Sequence, residues 1–344
     1  MRKREIRITT AIAGAILLIF ALLSSYQLIK KPNILVGKPA KLLIIPPGIR
    51  FSALQDSLHQ GAYVADIASF SLLARLMKYD RRVVPGAYKL KPGMSNWDAI
   101  KVLRAGMWEP VKIVLHDMHT KADLSAKITQ NIRVKAPDFE KLLNDSTFIS
   151  QYGLNTDNVL AMFIPNTYEV YWAISPKELF QRMYLEYQRF WDQERLSKAK
   201  QIGLTPTEVT ILASIVQKET NKPEEAPIIA GIYLNRLSKG MRLQSCPTLL
   251  YVVGDPSARR VLHKYQRIDS PYNTYLYKGL PPGPITIAPI AMIDAVLNHQ
   301  KHNYLYFSAK EDFSGYHYFA RTFSEHKKNG KRYRRALNQA SVYK

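Results

Sequence analysis

The chain has 344 residues, 47% hydrophobic and 22% charged. That is enough to bury one large or two medium cores, with no compositional sign of disorder. Lys+Arg number 49 against 27 Asp+Glu, and the resulting +22 attracts any polyanion, whether nucleic acid, anionic lipid or acidic polymer. The single cysteine, Cys246, excludes an internal disulfide and any cysteine-rich zinc or iron–sulfur site, while leaving a catalytic thiol formally open.

In chain order, residues 8–29 carry no charged side chain and are rich in Ile, Leu, Ala and Phe. As a helix this run spans a hydrocarbon core of ~30 Å. Arg2, Lys3, Arg4 and Arg7 precede it, and Lys30 and Lys31 follow. The denser basic side stays cytoplasmic, so the rest of the chain is expected outside. The run is longer than a signal-peptide core and ends in no clear small-x-small site, which favours an anchor over a cleaved leader. An extracytoplasmic location argues against nucleic acid as partner, and no basic–aromatic nucleic-acid motif is present.

Residues 31–40 read as a linker. Residues 42–61 begin with an apolar β-type run, turn at Pro46-Pro47-Gly48, and then place Phe51, Leu54 and Leu58 at helical spacing. A similar strand–turn–helix order returns at 111–128, with Leu124 and Ile128 on the helix face, a weak internal repeat. Between them, 86–106 predicts a strand, a Pro-Gly turn and a helix capped by Ser95 with Asp98 three residues on. From about residue 120 helices dominate. One opens at Pro176-Lys177-Glu178. Another, TPTEVTILASIVQKET, has Thr205 as N-cap and Glu208 at the third position. Its stripe of Val209, Leu212, Ala213 and Val216 leaves Glu219 off the core face, at a helix end where the dipole disfavours a carboxylate. Residues 231–283 are dense in Tyr, Pro, Gly and amides and read as long loops. Such loops suit sugar recognition, and equally suit a loop ordered by its own aromatics; the residues leave both open. The fold class is α+β: residues 1–30 cytoplasmic stub and anchor, 31–40 linker, 41–110 a small α/β module, and 111–344 a mixed α+β domain.

The motifs FIPNTY (163–168), ILASIVQKET ending at Glu219-Thr220, Asn235-Arg236-Leu237, GMRLQS (240–245), Pro247-Thr248, SPYNTY (270–275), GLPPGPI (279–285), YLYF (304–307), His317 and Glu325-His326 occur in order. In this the chain resembles the endolytic murein transglycosylases of the MltG (YceG-like) family. The resemblance implies a membrane helix, a LysM-like module at 41–110 and a catalytic domain at 111–344. It also implies endolytic cleavage of MurNAc–GlcNAc β-1,4 bonds in nascent peptidoglycan with 1,6-anhydro ends, terminating or trimming strands during wall synthesis. Location would be the inner membrane, single-pass, with the catalytic domain periplasmic. The resemblance assigns Glu219 as the catalytic acid/base. It makes Tyr168, Asn235, Arg236, Gln244, Tyr272, Asn273 and Tyr275 candidate substrate-binding residues, and Arg242 a further candidate for carboxylate groups. Glycan strands, the inner membrane, penicillin-binding proteins and other wall synthases are the implied partners; no cofactor is expected. His317 and His326 do not make a metal site, because two histidines nine apart lack a placed third ligand.

One carboxylate suffices for this chemistry because the muramic C6 hydroxyl of the substrate replaces the second one that hydrolysis requires. The acid role near neutral pH needs burial or a like charge to raise the Glu219 pKa. Three positions depart from the family pattern: Gln217 in place of a second Glu, Cys246 in place of the usual Asp, and Ile287-Ala288-Pro289 in place of a Pro-Gly turn. Glu224 and Glu225 read as solvated or structural. The alternative function is a non-catalytic glycan-binding scaffold for wall synthases, for which Glu219 would be dispensable.

Overall fold

The computed structural model describes residues 2–35, 42–116, 118–254 and 263–340. Residues 36–40 of the expected linker and 255–262 of the expected loop lie outside them. The chain forms two compact units. The first is Met1–Lys112 with Asn131–Arg133 and Glu169–Ile174; the second is Ile113–Gln130, Val134–Tyr168 and Ser175–Lys344.

The first unit begins with helix α1 (Arg2–Ile29), whose segment Ile12–Ile29 is long and apolar enough to cross a membrane and is nowhere buried. Strand β1 (Leu42–Ile45), helices α2 (Phe51–Gln60) and α3 (Ile67–Leu76), strand β2 (Gly86–Lys89) and helix α4 (Asn96–Ala105) follow. β1 and β2 are antiparallel, with Leu42 opposite Lys89 and Ile45 opposite Gly86. The pleat turns Leu43 and Ile45 inward and Leu42 and Ile44 outward. The core joins Leu43 and Ile45 to Leu54, Leu58, Phe70, Tyr88 and Ile100. Ser95 caps α4 as expected, accepting from the Asp98 N–H.

Residues 32–35 are tied to this unit by an amide network. The Asn33 side chain donates to Asn96 Oδ1 at 2.6 Å and to the Asp66 carbonyl at 2.9 Å, and accepts from Asp66 N–H at 2.7 Å. Asn96 in turn donates to the Leu28 carbonyl near the end of α1 and to Ser69 Oγ. Both asparagines are buried, so each broken bond strands a desolvated polar group. Asn33→Ala is expected to lower unfolding free energy by about 2 kcal/mol, measurable by denaturant titration; an unchanged midpoint would show that the network contributes nothing.

The remaining elements are β3 (Val111–Val114), α5 (Lys121–Thr129), α6 (Ala136–Leu143), α7 (Ser146–Ser150), β4 (Thr167–Val170), α8 (Pro176–Phe190), α9 (Gln193–Gln201), α10 (Pro206–Glu219), α11 (Ala226–Ser238), α12 (Cys246–Val253), α13 (Ile290–Leu297), β5 (Tyr306–Ala309), β6 (His317–Ala320) and α14 (Phe323–Gln339). β3 pairs with β4, and β5 with β6 as an antiparallel hairpin with Phe307 opposite Phe319. Capping boxes open α8 at Ser175/Glu178 and α10 at Thr205/Glu208. α10 is the axis of the second unit: every residue from Val209 to Val216 is buried, on all faces rather than along one stripe. α11, α12 and α13 pack around it.

The loop expectation for 231–283 is corrected in two places. Residues 226–238 and 246–253 are helical. Both helices hold Pro in the first turn, and α11 buries Ile229, Ala230, Gly231, Ile232 and Tyr233 on successive faces. A helix enclosed this way shows no 3.6-residue hydrophobic period in its sequence.

Candidate active site

Glu219 is the last residue of α10 and faces a cavity of about 300 Å³. The cavity is also walled by Tyr233 and Arg236 of α11, the segment Leu243, Gln244 and Cys246, then Tyr275, Tyr306, Phe307, Phe323 and His326. Two hydroxyls donate to one carboxylate oxygen: Tyr233 Oη to Glu219 Oε1 at 2.5 Å and Ser245 Oγ to the same atom at 2.6 Å. Among the described residues no group bonds Oε2. An oxygen that accepts two hydrogen bonds is the poorer site for a proton, so the acid form carries its proton on Oε2.

The electrostatics follow from this enclosure. Burial raises the Glu219 pKa above the ordinary carboxylate range; the Ser245 and Tyr233 hydrogen bonds and the His317 charge oppose it without reversing it. Burial and the adjacent Glu219 carboxylate hold the Tyr233 phenol far above its usual range, so it stays a donor. Burial raises the Cys246 thiol, and its contact with Tyr275 Oη at 3.2 Å offsets this in part. His326, stacked on Tyr306 with ring centres 5.4 Å apart, is pushed down by burial and by Arg236, and is therefore neutral at neutral pH.

Ser245 occupies the N-cap position of α12, yet its hydroxyl does not cap the helix, because it is spent on Glu219. Its backbone N–H donates to Thr274 Oγ1, and Thr248 Oγ1 donates to its carbonyl. Gln244, just before it, adopts φ +52°, a left-handed conformation costing a non-glycine residue on the order of 1 kcal/mol. A bond from its N–H to the Thr274 carbonyl and one from Arg236 Nη2 to its Oε1 (2.7 Å) hold it there. On the other side, Glu225 is buried and accepts from the His317 N–H at 2.8 Å, and its Oε2 lies 2.7 Å from His317 Nδ1. Glu224 accepts from Tyr316 Oη.

Of the candidate residues, Arg236, Gln244 and Tyr275 share the cavity with Glu219. Arg236 spends its donors on the carbonyls of Arg242 and Leu305 and on Gln244. Tyr168, Asn235, Tyr272 and Asn273 do not line the cavity. Tyr168 is buried and donates to the Ile164 carbonyl. Asn235 donates to the carbonyls of His302 and Tyr304. Asn273, fully buried, donates to the carbonyls of Gln266 and Ile268. The Tyr272 ring packs on Tyr251 at 4.8 Å. Sequence reasoning did not assign roles to Tyr233, Ser245 or the Glu225–His317 pair. The available signal was Ser245 in front of Cys246-Pro247, a helix start with a hydroxyl at its N-cap position.

Within this α+β fold, Glu219 is the one carboxylate lining the cavity among the described residues, so the site presents a single acid group. The YceG-like family profile matches residues 43–332, and the chain belongs to that family. It is 28% identical over 310 residues to the endolytic murein transglycosylase of Bacillus subtilis strain 168, covering 86% of this chain and 85% of the relative. It is also 28% identical to the protein of the same name from Streptococcus pneumoniae strain D39, covering 83% of this chain. The chain spans 57% of that relative's length. A crystal structure of a yceG-like protein from Listeria monocytogenes matches with a TM-score of 0.55 and 26% identity, covering 85% of this chain and 99% of that one.

The raised pKa of Glu219 has a consequence for stability. Above about pH 4.5, the native chain holds a proton that the unfolded chain releases. Stability therefore falls as pH rises through the window between that value and the raised native one. Glu219→Gln keeps both hydrogen bonds to Oε1 and has no such window. It is expected to be more stable than the native chain at about pH 7 and equal to it at about pH 4 in denaturant titrations. Equal stability at both pH values would mean the carboxylate is not destabilised by its site.

Proposed function

We propose that this protein is a lytic transglycosylase acting on peptidoglycan, with Glu219 as its single acid/base. The observation that carries the reading is the asymmetry of the Glu219 carboxylate: Oε1 is saturated by Tyr233 and Ser245, and Oε2 is left to the cavity. The names of the Bacillus and pneumococcal relatives supply the substrate class and reaction type.

In the proposed reaction, Oε2 delivers its proton to the glycosidic oxygen between MurNAc and GlcNAc as the C1–O bond breaks. The positive charge at C1 is shared with the muramic N-acetyl group. The carboxylate then takes the C6 hydroxyl proton while O6 bonds to C1, which closes the 1,6-anhydro ring and regenerates the acid. No water is consumed. Hydrolysis would instead require a second carboxylate across the sugar ring. Among the described residues, Glu219 is the only carboxylate lining the cavity. Both oxygens of Glu225 are occupied by His317, so it is a poor base for water.

The first unit, with β1, α2, α3 and β2 in succession, is read as the LysM-like glycan-holding module. α1 is read as a single-pass inner-membrane anchor with a cytoplasmic N-terminus. Arg236, Gln244 and Tyr275 are the residues proposed to meet substrate in the cavity. Tyr168, Asn235, Tyr272 and Asn273 then act by shaping the loops around it. Wall synthases, including penicillin-binding proteins, are proposed partners.

The full-length chain in detergent, incubated with uncrosslinked glycan strands, is expected to yield anhydro-muramic ends by mass spectrometry, and Glu219→Gln none. Reducing ends would replace this reading with hydrolysis; intact strands with retained binding would replace it with a scaffold. Ser245→Ala removes a hydrogen bond that lowers the Glu219 pKa, so that pKa rises further. The general acid then stays protonated to higher pH, and the alkaline limb of the kcat/KM profile is expected to move up. A limb that stays in place or moves down would contradict that role for Ser245.

A further inference from the structure

The last helix carries a feature that the acid/base chemistry does not use. At 100° per residue, Lys327, Lys328, Lys331, Arg332, Arg334 and Arg335 fall within an arc of about 160°. All of them are exposed. The opposite face of α14, with His326, Tyr333 and Leu337, is partly buried. Tyr306 of β5 stacks on His326 and packs against Phe323, and Arg332 lies over the ring of Tyr318 in β6.

This face has no internal neutralisation. Lys327–Lys331, Lys328–Arg332 and Lys331–Arg335 are like-charged pairs four residues apart, a spacing that weakens a helix. Among the described residues, none of these cations pairs with a carboxylate. The helix's own acid, Glu325, is turned to its N-terminus, where it accepts from the N–H groups of Arg321 and Thr322. A helix that holds such repulsion in the free protein gains from an anionic ligand.

Position selects the ligand. Phe323 and His326, in the first turn of α14, are walls of the Glu219 cavity, so the basic face begins where the cavity ends and extends about 12 Å from Lys327 to Arg335. Because its less polar side is packed against the protein's own hairpin, the helix is not free to bury an apolar face in a bilayer. We infer that the exposed basic face of α14 binds the carboxylates of peptide stems on the same glycan strand whose sugar bond lies at Glu219. This rests on the reading of that cavity as the glycan site and adds a stem-recognition surface to it.

The test uses the full-length chain in phosphatidylcholine nanodiscs, with Glu219→Gln as the non-cleaving background for binding. Labelled uncrosslinked strands, with stems or with stems removed by an amidase, are titrated against it and against the same chain carrying K331E and R335E. Stem-bearing strands are expected to bind the parent chain about tenfold more tightly, ~1.4 kcal/mol. The charge reversal should abolish that preference, leave stripped strands unaffected, and raise KM without changing kcat in the cleaving chain. K331Q with R335Q should give an intermediate loss. Because the reversal turns the Lys327–Lys331 repulsion into an attraction and leaves 331–335 a like-charged pair as before, the melting temperature should hold, which separates lost binding from lost folding. Unchanged affinity for stem-bearing strands would overturn the inference. So would a reversal that abolished only co-flotation with added phosphatidylglycerol vesicles, which would assign the face to a lipid surface. Failure of the chain with Glu219 intact to release anhydro ends would count against the reaction instead, since the binding comparison does not depend on cleavage.

Discussion

The second unit is organised around a carboxylate held in low-dielectric surroundings by two hydroxyl donors on one of its oxygens. Tyr233 comes from the middle of α11 and Ser245 from the start of α12, while Glu219 ends α10. Three helices must therefore keep their relative register to within hydrogen-bond tolerance. The packing is consistent with that demand. A Cβ added at Gly231 of α11 would lie 2.5 Å from the Gln300 carbonyl and 2.8 Å from His302 Nε2, so only glycine allows α11 so close to the 300–302 segment. Thr248 and Thr274, both buried, fix the backbone of Ser245 from below and behind.

The arrangement resolves a conflict between stability and chemistry. Complete desolvation without donors would keep the acid protonated and make it a poor proton donor; full solvation would leave it ionised. Burial raises the pKa, while the two hydroxyls and the His317 charge restrain the rise. A group poised between those limits can give a proton and take it back, as a single-residue acid/base must. The local strain at Gln244 belongs to the same design, since that turn delivers Ser245 to the carboxylate instead of to its own helix terminus.

The net charge of +22 is a whole-chain property, but its placement is local. Arg236 is buried and bonded to carbonyls and Gln244, and serves geometry. The solvated cations of α14 are gathered on one face beside the cavity and are available to a partner. A composition count cannot distinguish these two kinds of positive charge, because one is defined by desolvation and the other by exposure.

Local rules were enough for the strand at 42–45, the helix with Leu54 and Leu58 on its inner side, the cap at Ser95, and the box at Thr205 and Glu208. Each depends on residues a few positions apart, so the sequence itself specifies it. The apolar span before Ile29 and the position of Glu219 at a helix end were legible for the same reason. Helix α11 was not, since burial on successive faces removes the periodic signal that marks a helix; α12, a short run that is apolar on every side although it buries only Thr248 and Leu249, shows no period either. Nor could spacing show that Asn235 and Asn273 spend their amides on backbone carbonyls, or that Tyr233 and Ser245 converge on Oε1. Those facts join residues brought together by packing, 14 and 26 positions from Glu219 in the two hydroxyl bonds, and only the tertiary structure decides which polar groups lose water together.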